Sequence, residues 1–394
     1  MKSRWTGVIP GLLMAVVLQA SATASFVKES DSSNFSITHL VPHTSVKDQG
    51  RTGTCWSFAT VSFIESELLK AGHAETDLSE MFIVRHVYLL KAAKYIRMHG
   101  KNNFSEGGEP TDVMYIFKEE GIVPDSVYPG RKNNNERFNH VELEATLIEV
   151  VENTVTNLSA NSDFSWKNDF EKLLDVNLGL IPEQFPGQSE SYTPKTYAKS
   201  LPFNPDDFIM LTSFLHHPFY SSFPLEVPDN WMWSSYYNLP LEELTQVTDY
   251  SLENGYSVVW AMDYSEKGFL YNNGLAIAPL VYYQETDSTL KEPGITTEQW
   301  GSKGFLKEEI QVTPELRQQA FDNYATTDDH GMHIVGKASD ENGNKYYYVK
   351  NSWGTQNPYK GYLFVSMPYF QYKTISVMVH RNAIPEPVKI KLGL

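Results

Sequence analysis

Gln49-Gly50-Arg51-Thr52-Gly53-Thr54-Cys55-Trp56-Ser57-Phe58-Ala59 contains the only cysteine in a chain of 394 residues. Two glycines loosen the backbone just ahead of it. A helical apolar pattern then begins: Trp56, Ala59, Phe63 and Ile64 fall on one side, Glu65, Glu67 and Lys70 on the other, and Gly72 marks a stop. Thr54 is suited to cap this helix. The spacing therefore puts the Cys55 sulfur in the first helical turn. There the helix dipole and free N–H groups favour thiolate over thiol, and a thiolate is the nucleophile acyl transfer needs. The competing reading is a small buried hydrophobe, the usual fate of a free cysteine.

Composition narrows the choices. The chain is 41% hydrophobic and 13% aromatic, enough for a sizeable core. Net charge is −16, and −18 once Lys2 and Arg4 are removed with a leader (−16 − 2), which argues against nucleic acid and anionic membrane as partners. Residues 1–24 read as a secretory signal peptide: Lys2 and Arg4, an apolar stretch Val8–Leu18, and an Ala22-Thr23-Ala24 exit. Pro10 and Gly11 interrupt the apolar stretch, which is short for a membrane anchor. The expectation is export to the periplasm or outside the cell, with no membrane anchor in the mature form. One cysteine allows no internal disulfide. Only 31 residues (55 − 24), counting Cys55 itself, run from the expected cleavage point to the thiol, too few for a folded pro-segment.

Further along, Ser79 caps an expected helix whose apolar stripe includes Phe82, Ile83, Val87, Leu90 and Ile96, with Arg85, Lys91 and Lys94 toward water. Gly107-Gly108 opens a turn, and Pro110–Glu120 reads as another helix. Val141–Val151 can be helical, and Asn133-Asn134-Asn135 marks a loop. Residues 122–250 otherwise read as a proline-rich, irregular insertion. His216-His217 could suggest a metal, but no matching ligands are near in sequence, so no metal or other cofactor is expected. From about residue 256 the pattern turns to strands: Tyr256–Met262, Leu275–Tyr283, His330–Lys337, Lys345–Asn351, Tyr362–Met367 and Ile375–His380, with Asp340–Asn344 as a hairpin turn.

His330 and His333 are three apart on one of these strands, so they point to opposite faces. One can meet a cleft while the other faces the body. The hairpin partner returns as Val349-Lys350-Asn351-Ser352-Trp353-Gly354. An asparagine amide there can accept an imidazole N–H, and a tryptophan can shield that bond.

Together these residues resemble the papain-like cysteine peptidases, and within them the bleomycin hydrolase / aminopeptidase C branch. The motif stands as Thr52-Gly53-Thr54-Cys55-Trp56, with Thr52 where secreted members carry a cysteine. Gln49 matches the oxyanion-hole glutamine, Asn351-Ser352-Trp353-Gly354 the N-S-W-G segment, and His330–Gly336 the histidine strand, which favours His330 over His333. Cys55 to His330 spans 275 residues (330 − 55) and Cys55 to Asn351 spans 296 (351 − 55), roughly 140 more than the papain spacing, as in the bleomycin hydrolase branch.

The resemblance implies an α+β, two-subdomain papain-like fold over residues 25–394: mainly helical at 50–121, an insertion at about 122–250, mainly antiparallel β at 251–381, and a tail at 382–394. It implies peptide hydrolysis through an acyl-thioester, with Cys55, His330, Asn351 and Gln49 catalytic and Gly107, Gly108 and Trp353 binding peptide substrate. Aminopeptidase action is the leading expectation. Endopeptidase action, a catalytically inactive binding protein and a transglutaminase-like acyltransferase are the alternatives. In the branch, the C-terminal tail lies in the cleft and binds the substrate amine, and copies assemble as hexamers.

With one cysteine present, iodoacetamide should add at most one carbamidomethyl group to the chain and none to Cys55→Ser, as read by intact mass.

Overall fold

A computed structural model describes residues 35–131, 137–157, 166–187, 191–280 and 308–394. The signal-peptide segment 1–24, the Asn133–Asn135 loop and the end of the expected strand at 281–283 lie outside the described residues.

Strand β1 (Phe35–Leu40) comes first, then helices α1 (Cys55–Lys70), α2 (Glu80–Arg97), α3 (Pro110–Glu119), α4 (Val141–Asn157) and α5 (Trp166–Leu178). A small strand pair, β2 (Phe185–Pro186) and β3 (Ser191–Tyr192), precedes α6 (Pro194–Ser200). Then come β4 (Phe208–Thr212), β5 (Ser222–Pro224), β6 (Ser235–Asn238), α7 (Leu241–Glu253), β7 (Val258–Met262), β8 (Phe269–Leu270) and β9 (Leu275–Ala276). The chain ends with α8 (Pro314–Asp322), β10 (His330–Asp340), β11 (Lys345–Lys350), β12 (Tyr362–Ser366), α9 (Met367–Lys373), β13 (Thr374–His380) and α10 (Glu386–Leu392).

Among the described residues, eleven strands form one sheet in the order β5-β6-β4-β13-β7-β10-β11-β12-β9-β8, with β1 beside β10. Both faces are covered. Alternation along β7 shows it: Val258, Trp260 and Met262 enter one core, while Val259 and Ala261 enter the other, which belongs to α1–α5. This is the expected helical part packed on a β part. Two pairs, β4–β6 and β9–β12, are parallel within the otherwise antiparallel sheet.

Several local expectations need correction. Helix α1 is not half exposed: it is wedged between sheet and helices, and Glu65 and Glu67 are buried with the apolar residues. Glu65 is satisfied there by the Thr44 hydroxyl (2.5 Å) and the Leu78 N–H (2.9 Å). Arg85 and Lys91 of α2 are also buried, because Asp175 and a set of carbonyls receive them. Thr54 holds the cap position of α1, but its hydroxyl bonds Thr52 Oγ1 (2.6 Å) instead of capping. By contrast, Ser79 does cap α2, accepting from the Phe82 N–H at 3.0 Å.

The 122–250 stretch is more regular than its prolines suggested. Pro194 occupies the first turn of α6 and Pro240 the cap of α7, positions where a missing N–H costs nothing. Strands β4–β6 join the main sheet. The tail also differs from a free arm. Helix α10 buries Val388 and Leu392 in the second core, and Lys391 Nζ donates to Glu243 Oε1 at 2.6 Å.

Trp260 is wholly buried at the centre of the sheet, with Nε1–H donating to Thr374 Oγ1 at 2.8 Å. Trp260→Ala should lower unfolding free energy by about 3–5 kcal/mol in denaturant titration; a loss below about 1 kcal/mol would contradict this packing.

Candidate active site

Four segments meet at the start of α1. Strand β10 presents His330 and Gly331. The register pairs His333 with Lys350, so the chain beyond Lys350 runs toward the His330 end. Segment 48–49 is tied to it by an Asp48–Trp353 bridge and by the Gln49 N–H donating to Ser352 O at 2.8 Å. The loop before α3 closes the opposite side. Together they line a cleft of about 560 Å³ containing Gln49, Cys55, Gly107, Gly108, His330 and Trp353. No residue of 382–394 lines it.

Cys55 is the first residue of α1, and its sulfur accepts from the backbone N–H groups of Gly331 and Trp56. Those bonds favour the thiolate, as expected at a helix start. Burial acts more strongly the other way and pushes the thiol up to about 12. It also pushes His330 down to about 4, with the Asn351 bond opposing. Burial therefore holds the resting pair neutral, which reverses the thiolate expected from helix position alone.

The hydrogen bonds decide the tautomer of that neutral imidazole. Asn351 Oδ1 accepts from the Ser352 N–H at 2.7 Å, and a backbone N–H can only donate. The same oxygen lies 2.9 Å from His330 Nε2, so Nε2 carries the hydrogen and Nδ1 keeps a free lone pair. Trp353 packs on the ring with centroids 4.7 Å apart, and Tyr264 does so at 5.3 Å.

The Gln49 amide is oriented in the same way. Its Nε2–H donates to Thr52 O at 2.7 Å, which can only accept, while Oε1 accepts from Ser352 Oγ at 2.5 Å. One N–H of the amide remains uncommitted. Gly107 and Gly108 sit in crowded positions, against the Asp229 carboxylate and the Trp56 ring respectively. A Cβ at Gly107 would fall 2.0 Å from Asp229 Oδ2, and one at Gly108 would fall 2.9 Å from the Trp56 ring.

His333 stands apart from this group. It faces the body of the protein, with Nδ1 2.8 Å from Ser62 Oγ and burial holding it well below the usual range. His216 and His217 are joined at the surface by Glu226, at 3.1 and 2.7 Å, a carboxylate that sequence proximity did not bring to notice.

Sequence reasoning missed the frame of the cleft. Lys91 reaches from α2 to the carbonyls of Ser105 (2.8 Å) and Gly107 (2.6 Å) and holds the glycine loop. Glu106 accepts from the Gly53 N–H, and its carbonyl accepts from Trp56 Nε1–H at 3.0 Å. Glu109, Asp229, Asp328 and Asp329 also line the cleft. Glu106 and Glu109 flank the glycine pair and Asp328-Asp329 precedes His330, so a signal was present in sequence.

Comparison with known proteins first defines the class. Residues 32–173 match the papain family cysteine protease domain, and residues 295–393 match the peptidase C1-like family. Cysteine proteinase 1 of Entamoeba histolytica is 29% identical over 39% of this chain, and mouse pro-cathepsin H is 31% identical over 29%. The chain spans 45% and 32% of the length of those two relatives. Two further relatives match along most of both chains. Human bleomycin hydrolase is 22% identical over 89% of this chain and 83% of its own, and aminopeptidase G of Lactobacillus delbrueckii is 20% identical over 87% and 82%. The crystal structure of PepW from Lactobacillus rhamnosis shares the fold, with a TM-score of 0.67 over 91% of this chain and 84% of its own at 17% identity. The chain belongs to the papain-like cysteine peptidases, in the bleomycin hydrolase / aminopeptidase C branch.

The buried imidazole predicts a pH effect. Between about pH 6.5 and 4, an unfolded His330 takes a proton that the folded one refuses, so this residue's contribution to stability falls as pH falls. NMR of ring-labelled protein should show His330 neutral until near pH 4. A midpoint near 6.5 would contradict the burial described.

Proposed function

We propose that this protein hydrolyses peptide bonds with Cys55 as the nucleophile. The observation that carries this reading is the orientation of His330: Nε2–H is committed to Asn351, and the lone pair of Nδ1 stays free in the cleft that Cys55 lines. As Sγ attacks the carbonyl carbon, the thiol proton passes to Nδ1, so charge develops only as bonds change. The oxyanion is met by the Cys55 N–H and the uncommitted N–H of Gln49. The C–N bond breaks as the imidazolium returns its proton to the leaving amine. Water then attacks the thioester with His330 as base, releasing the acid and restoring the thiol. Asn351 keeps the ring in place, and Trp353 excludes water from that bond. Gly107 and Gly108 offer backbone hydrogen bonds to an extended peptide.

The same reading includes export directed by residues 1–24, which Edman sequencing of the mature protein would test. It also includes assembly of several copies, with six as the number implied by the resemblance.

The activity test is cleavage of peptidyl-aminomethylcoumarins under reducing conditions. Cys55→Ser and His330→Ala should each lower kcat by at least about 10³-fold, and Asn351→Ala should cost less. Absence of cleavage, with wild type and variants alike, would overturn the proposal.

A further inference from the structure

Away from the cleft, three side chains converge that peptide hydrolysis does not use. Among the described residues, His216, His217 and Glu226 form the one cluster of histidine, cysteine or carboxylate side chains whose ligand atoms could share a metal ion. Those atoms lie within 4.8 Å of one another. Glu226 Oε2 is 3.1 Å from His216 Nε2, and Glu226 Oε1 is 2.7 Å from His217 Nε2. Zinc bonds of about 2.0–2.1 Å place tetrahedral ligands about 3.4 Å apart, close to this spacing. All three side chains are partly exposed, so an ion can reach them from solvent.

A histidine beside a glutamate at a surface is ordinary. Here the rings are also held in place, which lowers the entropy cost of capturing an ion. His217 stacks on Phe223, with centroids 3.8 Å apart. His216 lies parallel to Phe321 of α8 at 5.6 Å and meets Phe223 edge-on at 5.7 Å. Behind His216 stands Gln318, also on α8. Its Oε1 accepts from the Leu215 N–H at 2.6 Å, and its Nε2–H donates to Asp322 Oδ1 at 2.8 Å, so the amide is fixed. His216 Nδ1 lies 3.2 Å from that Oε1 and 3.0 Å from that Nε2, so the amide can serve either tautomer of the ring. A metal-binding histidine needs such an acceptor for its other N–H.

We propose that His216, His217 and Glu226 bind a divalent transition-metal ion of the zinc type. Binding needs a lone pair on each Nε2. Moving the two ring hydrogens to Nδ1 supplies both without releasing a proton, and His216 Nδ1–H then donates to Gln318. Two imidazoles and one carboxylate suit zinc better than magnesium or calcium, which take oxygen ligands. The histidines precede β5 and Glu226 follows it, and β5 is the outermost strand of the sheet beyond β6. The ion therefore ties the two ends of an edge strand together. Metal binding here is independent of peptide hydrolysis.

The test uses untagged protein carrying Cys55→Ser, so that the active-site thiol contributes nothing. Zinc titrated in competition with a chromophoric chelator should show one ion per chain with a Kd of about 10 µM or tighter, unchanged by excess magnesium. His216→Ala, His217→Ala and Glu226→Gln, each shown to be folded by a thermal melt without zinc, should weaken binding by at least about tenfold. Hydrogen exchange read by mass spectrometry should slow in peptides spanning 216–226 when zinc is added, and should not slow in the variants. Binding weaker than about 10 µM, or binding that the three variants retain, would overturn the site. Binding lost in the variants but without slowed exchange would overturn the tie across β5.

Discussion

The close approach of Gly331 to the first turn of α1 is the constraint on which the site depends. A Cβ there would lie 3.1 Å from Trp56 Cα and 3.2 Å from Trp56 N, closer than packed atoms normally sit. Glycine lets the strand backbone rest on the helix start, and the Gly331 N–H then reaches the Cys55 sulfur. One residue earlier on that strand is His330. The helical half and the β half of the molecule thus meet at the position where nucleophile and base must share a cleft.

Burial at this junction has a cost that the hydrogen bonds offset unevenly. Asn351 Oδ1 is doubly used, and Gln49 is pinned through both ends of its amide. The thiol and imidazole are desolvated, so they favour neutral forms until a substrate carbonyl offers somewhere for charge to go. Behind them, Lys91 is wholly buried yet has carbonyl partners, so the glycine loop is held by a cation within the protein. On the cleft side of that loop, Glu106 accepts from the Gly53 N–H and Asp229 from Asn103 Nδ2 at 3.1 Å.

Much of the frame was legible along the chain. Periodicity located α1–α4, because apolar spacing of a helix is a local property. Alternation located most strands of the β part, and Ser79 announced a cap that forms as read. The readings that failed concerned burial of polar residues. Glu65, Glu67, Arg85 and Lys91 look like solvent-facing positions in sequence, yet all four are buried, and Glu65, Arg85 and Lys91 find partners in other segments. The short strands β4–β6 were hidden for a related reason: their pairing partners include one another and β13, and proline content signals irregularity without saying where an edge strand can dock.

Sequence alone determined which residue types are present to do chemistry: one cysteine, a histidine on a strand, and an asparagine followed by serine and tryptophan. These are properties of short stretches, whose local geometry follows from spacing. Tertiary structure decided the rest. It assigned the proton of His330 to Nε2, set the thiol and imidazole neutral by burial, and kept the C-terminal helix out of the cleft. Each of these depends on dielectric and on contacts between residues far apart in the chain, and neither can be read from a neighbour's identity.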